Sequence, residues 1–429
     1  MGGGEIIMIE KMRKNVPNGR EIVTKRLGAV LNWLIVALFF SFPFSGLDVF
    51  LRPIHGEIFQ FTLKLTNIFV VLGGAVAVIK LLVAGKIPRI RGPHWVLAAF
   101  ALAALTGYFT AVDRQLFFAF YFGLLRGLAI IFLFWAADQP SPVFRRTLFW
   151  AAAACLLGAA IAVWQEIMVL VIYHAPYLGN ITPPPWLTRA WILLEGYPII
   201  RASAFTLEPN YFSLIPATAF ILLGSGAVAI KKGRAWLMAL ALSGVFLTFS
   251  RGAAVGLSVV AVAQFVPWFL ARKRSDKTSR PSKAPLFWIA ATILVVILMI
   301  AARGRDRSIE MRTESAAGAV TTVTANATLG VGLGNDIRYD WRGGSVHNFP
   351  LEILLSTGVV GLLIWLVFAY LVIQQIRWAW RRDPAFGAAY LQIAVFVGTL
   401  SLTLNMLTHP VFWALVGLMM AGAREEVKK

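Results

Sequence analysis

The feature that most constrains this chain is a succession of apolar runs, each about 20 residues long, the length one helix needs to cross the hydrocarbon core of a bilayer. Twelve can be placed, at approximately 27–47, 58–85, 93–111, 115–137, 147–172, 204–230, 234–250, 252–271, 285–302, 349–376, 385–403 and 405–422. His409 and Pro410 interrupt the final run, so the ends of the last two are the least sharply drawn. Within lipid each backbone N–H and C=O must be satisfied by the protein itself, and single apolar runs do this as helices. The expected fold is all-α, a polytopic integral membrane protein of about 12 transmembrane helices forming one domain over 27–422. Composition agrees: 59% of the 429 residues are hydrophobic and 14% charged, too little polar surface to cover a water-soluble globule of this size.

Charge supplies an orientation. With residues 1–26 placed in the cytoplasm, the connecting segments on that side hold 26 of the 40 Lys and Arg, and those on the other side hold 11. Lys64, Lys80 and Arg126 lie within spans. By the positive-inside rule both tails, 1–26 and 423–429, are cytoplasmic, and two long loops, 173–202 and 303–348, are extracytoplasmic. The net charge of +20 is then largely topological, and nucleic acid is not an expected partner. The first 26 residues carry six Lys and Arg and no long apolar core, which reads as a tail and not as a removable signal peptide. Cys155, the sole cysteine, sits in an apolar run and reads as packing. One cysteine forms no intramolecular disulfide, and the five scattered His show no zinc-ligand spacing, so no metal and no cofactor is expected.

The polar residues sort by side. Arg201 precedes the sixth span, Arg251 occupies the tight turn FSRGA between the seventh and eighth, and His347 precedes the tenth. All three are expected at the extracytoplasmic surface. Each arginine has a plain reading as a snorkelling anchor and a sharper one as a planar donor fork suited to phosphate. Arg126 falls near mid-membrane, where a charge pairs or faces an aqueous cavity, and reads as structural or as part of a lipid pocket. The second long loop holds six arginines on the side where basic residues are scarce. Long loops translocate regardless of charge, or these arginines attract an anion. In the first, Trp186 and Trp191 suit a segment lying in the headgroup layer.

His347 reads either as an interfacial histidine bonded to a loop carbonyl or as a base. Asn348 can cap the helix that follows, and Pro350 in its first turn costs no hydrogen bond. The positive end of that helix favours a bound anion and a neutral imidazole. Glu352 suits the first turn, or else orients the imidazole. GVGLGN lacks the lysine and the third glycine of nucleotide loops. It reads as a turn through which backbone approaches a ligand or another loop.

RASAFTLEPN, FSRGAAVGL, and GVGLGN followed by SVHNFPLEILLSTGVVG together resemble the O-antigen ligase and polymerase superfamily of bacterial membrane glycosyltransferases. The specific similarity lies between about 200 and 365. The resemblance implies transfer of a glycan from an undecaprenyl-diphosphate carrier to an acceptor hydroxyl, at the outer face of the bacterial cytoplasmic membrane, without metal or nucleotide. Where an outer membrane exists the acceptor would be lipid A-core. By motif, His347 resembles the residue that activates the acceptor, and Arg201 and Arg251 resemble the pair that grips the donor diphosphate. Glu208, Asn210, Asn348, Glu352 and Arg338 form the supporting set. Between Arg312 and Gly330 relatives carry a longer, bulkier amphipathic helix, whereas this run is short and Ala/Thr-rich. Ligase, polymerase and protein O-oligosaccharyltransferase therefore stay open, with ligase preferred. A lipid-linked sugar transporter is the alternative of another class. Transporters place charges near the midplane between repeats, while this chain has its polar candidates at one surface and no internal repeat.

Overall fold

The computed structural model describes residues 19–45, 48–52, 61–85, 87–88, 90–137, 141–174, 191–194, 197–204, 208–230, 232–274, 297, 308–335 and 346–421. It is helical apart from two short antiparallel hairpins. In chain order the elements are α1 (Gly19–Ser41), β1 (Asp48–Arg52), β2 (Phe61–Lys64), α2 (Leu65–Ala84), α3 (Gly92–Thr106), α4 (Arg114–Ala137) and α5 (Ser141–His174). There follow β3 (Trp191–Leu194), β4 (Tyr197–Ile200), α6 (Pro209–Phe212), α7 (Leu214–Gly224), α8 (Arg234–Phe246) and α9 (Arg251–Arg274). The chain then forms α10 (Ser308–Ala325), α11 (Phe349–Arg382), α12 (Pro384–Ser401) and α13 (Pro410–Ala421).

Six helices, α1, α2, α4, α5, α11 and α12, are long and apolar enough to cross a membrane; α3, α6 with α7, α8, the first half of α9, and α13 are shorter and apolar. Eleven of the twelve expected spans thus coincide with helices, and the ninth, 285–302, lies outside the described residues but for residue 297. The second span begins later than expected: residues 61–64 pair with 48–52 as a hairpin before α2 starts. Both long loops also contain structure. Residues 191–194 and 197–200 pair as β3 and β4, while Trp186 lies outside the described residues. The Ala/Thr-rich run in the second loop is α10, where alanine favours the helix and Ala319 packs with Val331, Val346 and Leu355.

Helix pairs α1–α2, α2–α4, α4–α13 and α3–α11 make one side of the bundle, and α5, α7 and α8 pack on one another beside it; α12 packs on both α9 and α11. At the centre stands α13, every residue of which is buried. Its fit to α4 relies on missing side chains. A Cβ at Gly127 would overlap the Trp413 indole, and one at Gly417 the Phe134 ring, so each glycine admits a large ring from the opposite helix.

Two helices are broken. Twelve residues give α13 a length of about 18 Å, short of the ~30 Å hydrocarbon core, and the preceding segment, residues 402–409, is non-helical. Within α11, Gly358 adopts φ 65°, ψ −171° and interrupts the i→i−4 ladder. The glycine-rich turn fills that break: Val331 N–H donates to Leu355 O (2.8 Å), Gly332 N–H to Ser356 O (3.2 Å), and Val359 N–H to Ala327 O (2.8 Å). Gly330, Gly332 and Gly334 all have positive φ. A Cβ at Gly358 would overlap the Thr328 carbonyl, and one at Gly330 the Leu355 carbonyl. Of the two readings of GVGLGN, approach to a ligand or to another part of the chain, the structure displays the second.

Candidate active site

Around Arg201 the site is built from backbone contacts. Ala202 N–H donates to Leu247 O (2.8 Å), docking residues 201–204 against the turn that closes α8. Arg201 follows the same direction: Nε donates to Thr248 O (3.0 Å) and one terminal nitrogen to Asn210 Oδ1 (2.6 Å). Asn210 passes the contact on, its Nδ2 donating to Glu208 Oε1 (2.6 Å). Glu208 is the N-cap of α6 and Pro209 occupies its first turn. Arg201, Asn210 and Glu208 therefore form one hydrogen-bonded chain, with Arg201 half-buried.

Arg251 enters from the other end of the same turn. Ser250 Oγ accepts from Ala253 N–H (3.3 Å), which makes Ser250 the N-cap of α9 and Arg251 its first residue. Two residues that are not glycine sit at positive φ here, Ala204 (48°) and Phe249 (46°). Such conformations cost on the order of 1–3 kcal/mol each and persist only where the surroundings impose them. Both flank the docked pair of segments that positions the two arginines.

His347 is exposed and stands two residues before Phe349, the first residue of α11. Asn348 caps that helix, its Oδ1 accepting from Leu351 N–H (3.0 Å), and Pro350 lies in the first turn. Glu352 is buried, with 4% of its surface exposed. Together with Glu208 it lies close enough to Tyr211 to act on it electrostatically, so it faces the interior while His347 faces out. Five of the second loop's six arginines, Arg338 among them, lie outside the described residues.

The non-helical segment before α13 joins these parts. Asn348 Nδ2 donates to Leu402 O (3.3 Å). A Cβ on Gly252 would overlap the Thr403 hydroxyl, so the start of α9 presses on the next residue of that segment. Tyr211, beside Asn210, donates to Asn405 O (2.5 Å) and stacks its ring on His409 at 4.3 Å between centroids. Residues 402–409 thus touch Asn348 beside His347, Gly252 beside Arg251, and Tyr211, which follows the Asn210 that holds Arg201.

Reading the sequence left this hub out, along with Tyr211 and Thr66, and put Lys64 within the second span, whereas it ends β2 just before α2. The hub's one legible signal was the interruption of an apolar run by His409 and Pro410. Irregular backbone at membrane depth is tolerated where it is buried in protein or lines a cavity, and here it does line one. Lys64, Arg126, Glu208, Tyr211, Thr408 and His409 surround a space of about 230 Å³.

Residues 236–366 match the family model Wzy_C, described as O-antigen ligase. This stretch belongs to the O-antigen ligase superfamily. The match runs from α8 into the middle of α11 and takes in Arg251, the glycine-rich turn, Arg338, His347, Asn348, Glu352 and Gly358. Arg201, Glu208, Asn210 and the 402–409 segment lie outside it. A search of curated proteins found no match. The family match over this stretch and the apolar helices together support a membrane-embedded enzyme of the ligase and polymerase kind.

Proposed function

We propose that the chain is an O-antigen ligase-like glycosyltransferase that moves a glycan from an undecaprenyl-diphosphate carrier to an acceptor hydroxyl at the outer face of the cytoplasmic membrane. The observation that carries this reading is the family match over the stretch that holds Arg251 and His347. It is supported by the contacts through residues 402–405, which join the surroundings of His347 to those of the two arginines.

Breaking the anomeric C–O bond leaves negative charge on the departing diphosphate. The guanidinium groups of Arg201 and Arg251, the second at a helix N-terminus, supply donors and positive potential to those oxygens. The acceptor oxygen attacks the anomeric carbon from the opposite side while its proton passes to a ring nitrogen of His347. A positioned base of this kind contributes about 10² to 10⁴ in rate. Exposure of His347 suits an acceptor that arrives from outside the bundle. Direct displacement inverts the anomeric configuration, and the charge stabilisation it needs comes from side chains, so the scheme is metal-independent.

Reconstitution with an undecaprenyl-diphosphate oligosaccharide and candidate acceptors tests the reading. Transfer with inverted configuration, unchanged by EDTA, is expected; retained configuration would overturn the displacement scheme. A second lipid-linked glycan serving as the only acceptor would replace ligase by polymerase.

A further inference from the structure

Arg126 stands where two cavities meet. It lies midway along the 24-residue α4. On one side, between α2 and α4, is a groove of about 650 Å³ walled by Val70, Val71, Phe122, Leu125 and Ala129, with Asn67 beside Arg126. Val71 and Phe122 are 68% and 65% exposed, so this groove opens on the outside of the helix bundle through apolar side chains. On the other side is the polar cavity of about 230 Å³ that shares Glu208 with the candidate active site and reaches Lys64, Thr66 and His409. Arg126 and Thr408 line both.

The donors at the junction are only partly used. Arg126 spends one terminal nitrogen on Asn67 Oδ1 (3.0 Å) and the other on Thr408 O (2.7 Å). Its Nε is buried without a hydrogen-bond partner among the described residues, as are Thr66 Oγ1 and His409 Nδ1. Thr66 is fully buried. An unsatisfied buried donor costs about 1–3 kcal/mol, more when charged, and a charge at this depth marks a pathway or a ligand. Lys64 and Arg126 both lie near enough to His409 to act on it electrostatically, which places two cations at one cavity. Among the described residues Glu208 is the one carboxylate lining it, and its Oε1 is taken up by Asn210.

We infer that the α2–α4 groove and the junction at Arg126 form the seat of a single-chain polyprenyl phosphate. The hydrocarbon chain lies along Val70, Val71, Phe122 and Leu125, and the chain-proximal phosphate meets Arg126 Nε, the Thr66 hydroxyl and Lys64. One groove suits one chain, and two cations suit a phosphate monoester or a diphosphate, each of which carries about two negative charges. A phospholipid brings two acyl chains and a singly charged diester. The inference rests on the transferase reading for the polyprenyl identity. It adds that a donor diphosphate would be held from two sides, by Arg126 and Lys64 near the lipid and by Arg201 and Arg251 near the sugar.

Native mass spectrometry of the full chain with undecaprenyl phosphate, which carries no glycan to transfer, separates the two claims. Val71→Trp fills the groove from an exposed position, and Arg126→Gln removes the charge. Each is expected to weaken binding at least tenfold, while Val78→Trp, exposed on the same helix but not lining the groove, binds like wild type. His347→Ala is expected to bind normally and to transfer about 10² to 10⁴ times more slowly. Wild-type binding by Val71→Trp overturns the inference even if Arg126→Gln fails to fold, and so does equal competition by phosphatidylglycerol. Loss of binding in Val71→Trp, in a protein that transfers no glycan to any acceptor, would keep this seat and discard the transferase reading.

Discussion

At the scale of single residues, the arrangement separates groups that meet the reacting atoms from groups that hold them. His347→Ala is expected to lower transfer by about 10² to 10⁴, with the thermal midpoint unchanged because the side chain is exposed. Arg201 differs, since its guanidinium also ties residues 201–204 to the Thr248 carbonyl and to Asn210. Arg201→Ala should therefore reduce both transfer and melting temperature, a hydrogen bond from a charged group being worth about 1.5–3 kcal/mol. Asn210→Ala isolates the positioning part. It leaves Arg201 bonded to Thr248 but removes the contact with Asn210 at its outer end, so KM for the donor should rise more than kcat falls. An unchanged KM would show that the Arg201–Asn210–Glu208 chain is structural. His347 and the arginines were legible from residue type and neighbours. Tyr211, Thr66 and the carbonyls of Thr248, Leu402 and Asn405 were not, because their roles exist only once distant segments touch.

At the scale of elements, the two broken helices carry the specificity of the fold. The Gly358 break and the glycine-rich turn satisfy each other's backbone groups, and no side chain can be added at the contact without overlap. Gly358→Ala is expected to destabilise by at least about 2 kcal/mol, combining the cost of positive φ with that of overpacking. Gly74→Ala, where a Cβ meets nothing within 4 Å, serves as the control and should leave the melting temperature unchanged or slightly raised. Gly127→Ala tests the second centre, since its Cβ would overlap Trp413 on α13. Adding Trp413→Leu should recover part of the loss, because contacting sites are not additive. Equal melting of single and double variants would mean that this packing does not hold α13 in place. The glycine motif illustrates what a sequence conceals. Its positive-φ turn could be read from GVGLGN, but its partner, Gly358, is 24 residues beyond Gly334 and looks like an ordinary helix interior.

At the scale of the whole molecule, orientation is an expectation of charge counting and is open to direct test. Cys155 is buried, so the wild-type background to a membrane-impermeant maleimide should be low. Cysteine placed at the exposed Leu402 should label from outside in spheroplasts, and cysteine at the exposed Lys25 only after permeabilisation. The reverse pattern would put the site in the cytoplasm and end the lipid-linked transfer scheme. The sequence by itself determined the helical class, the positions of eleven helices and the family motif, because hydrocarbon forces each apolar run to satisfy its own backbone and the pattern is therefore local. Only the tertiary structure decided that α13 is a short buried helix and that residues 402–409 gather Tyr211, Asn348 and the start of α9. It likewise decided that Arg126 joins an apolar groove to a polar cavity. Those outcomes depend on which helix faces mesh and which glycines admit a ring or a backbone. That is a matter of three-dimensional packing between residues hundreds of positions apart, and hydropathy along the chain does not record it.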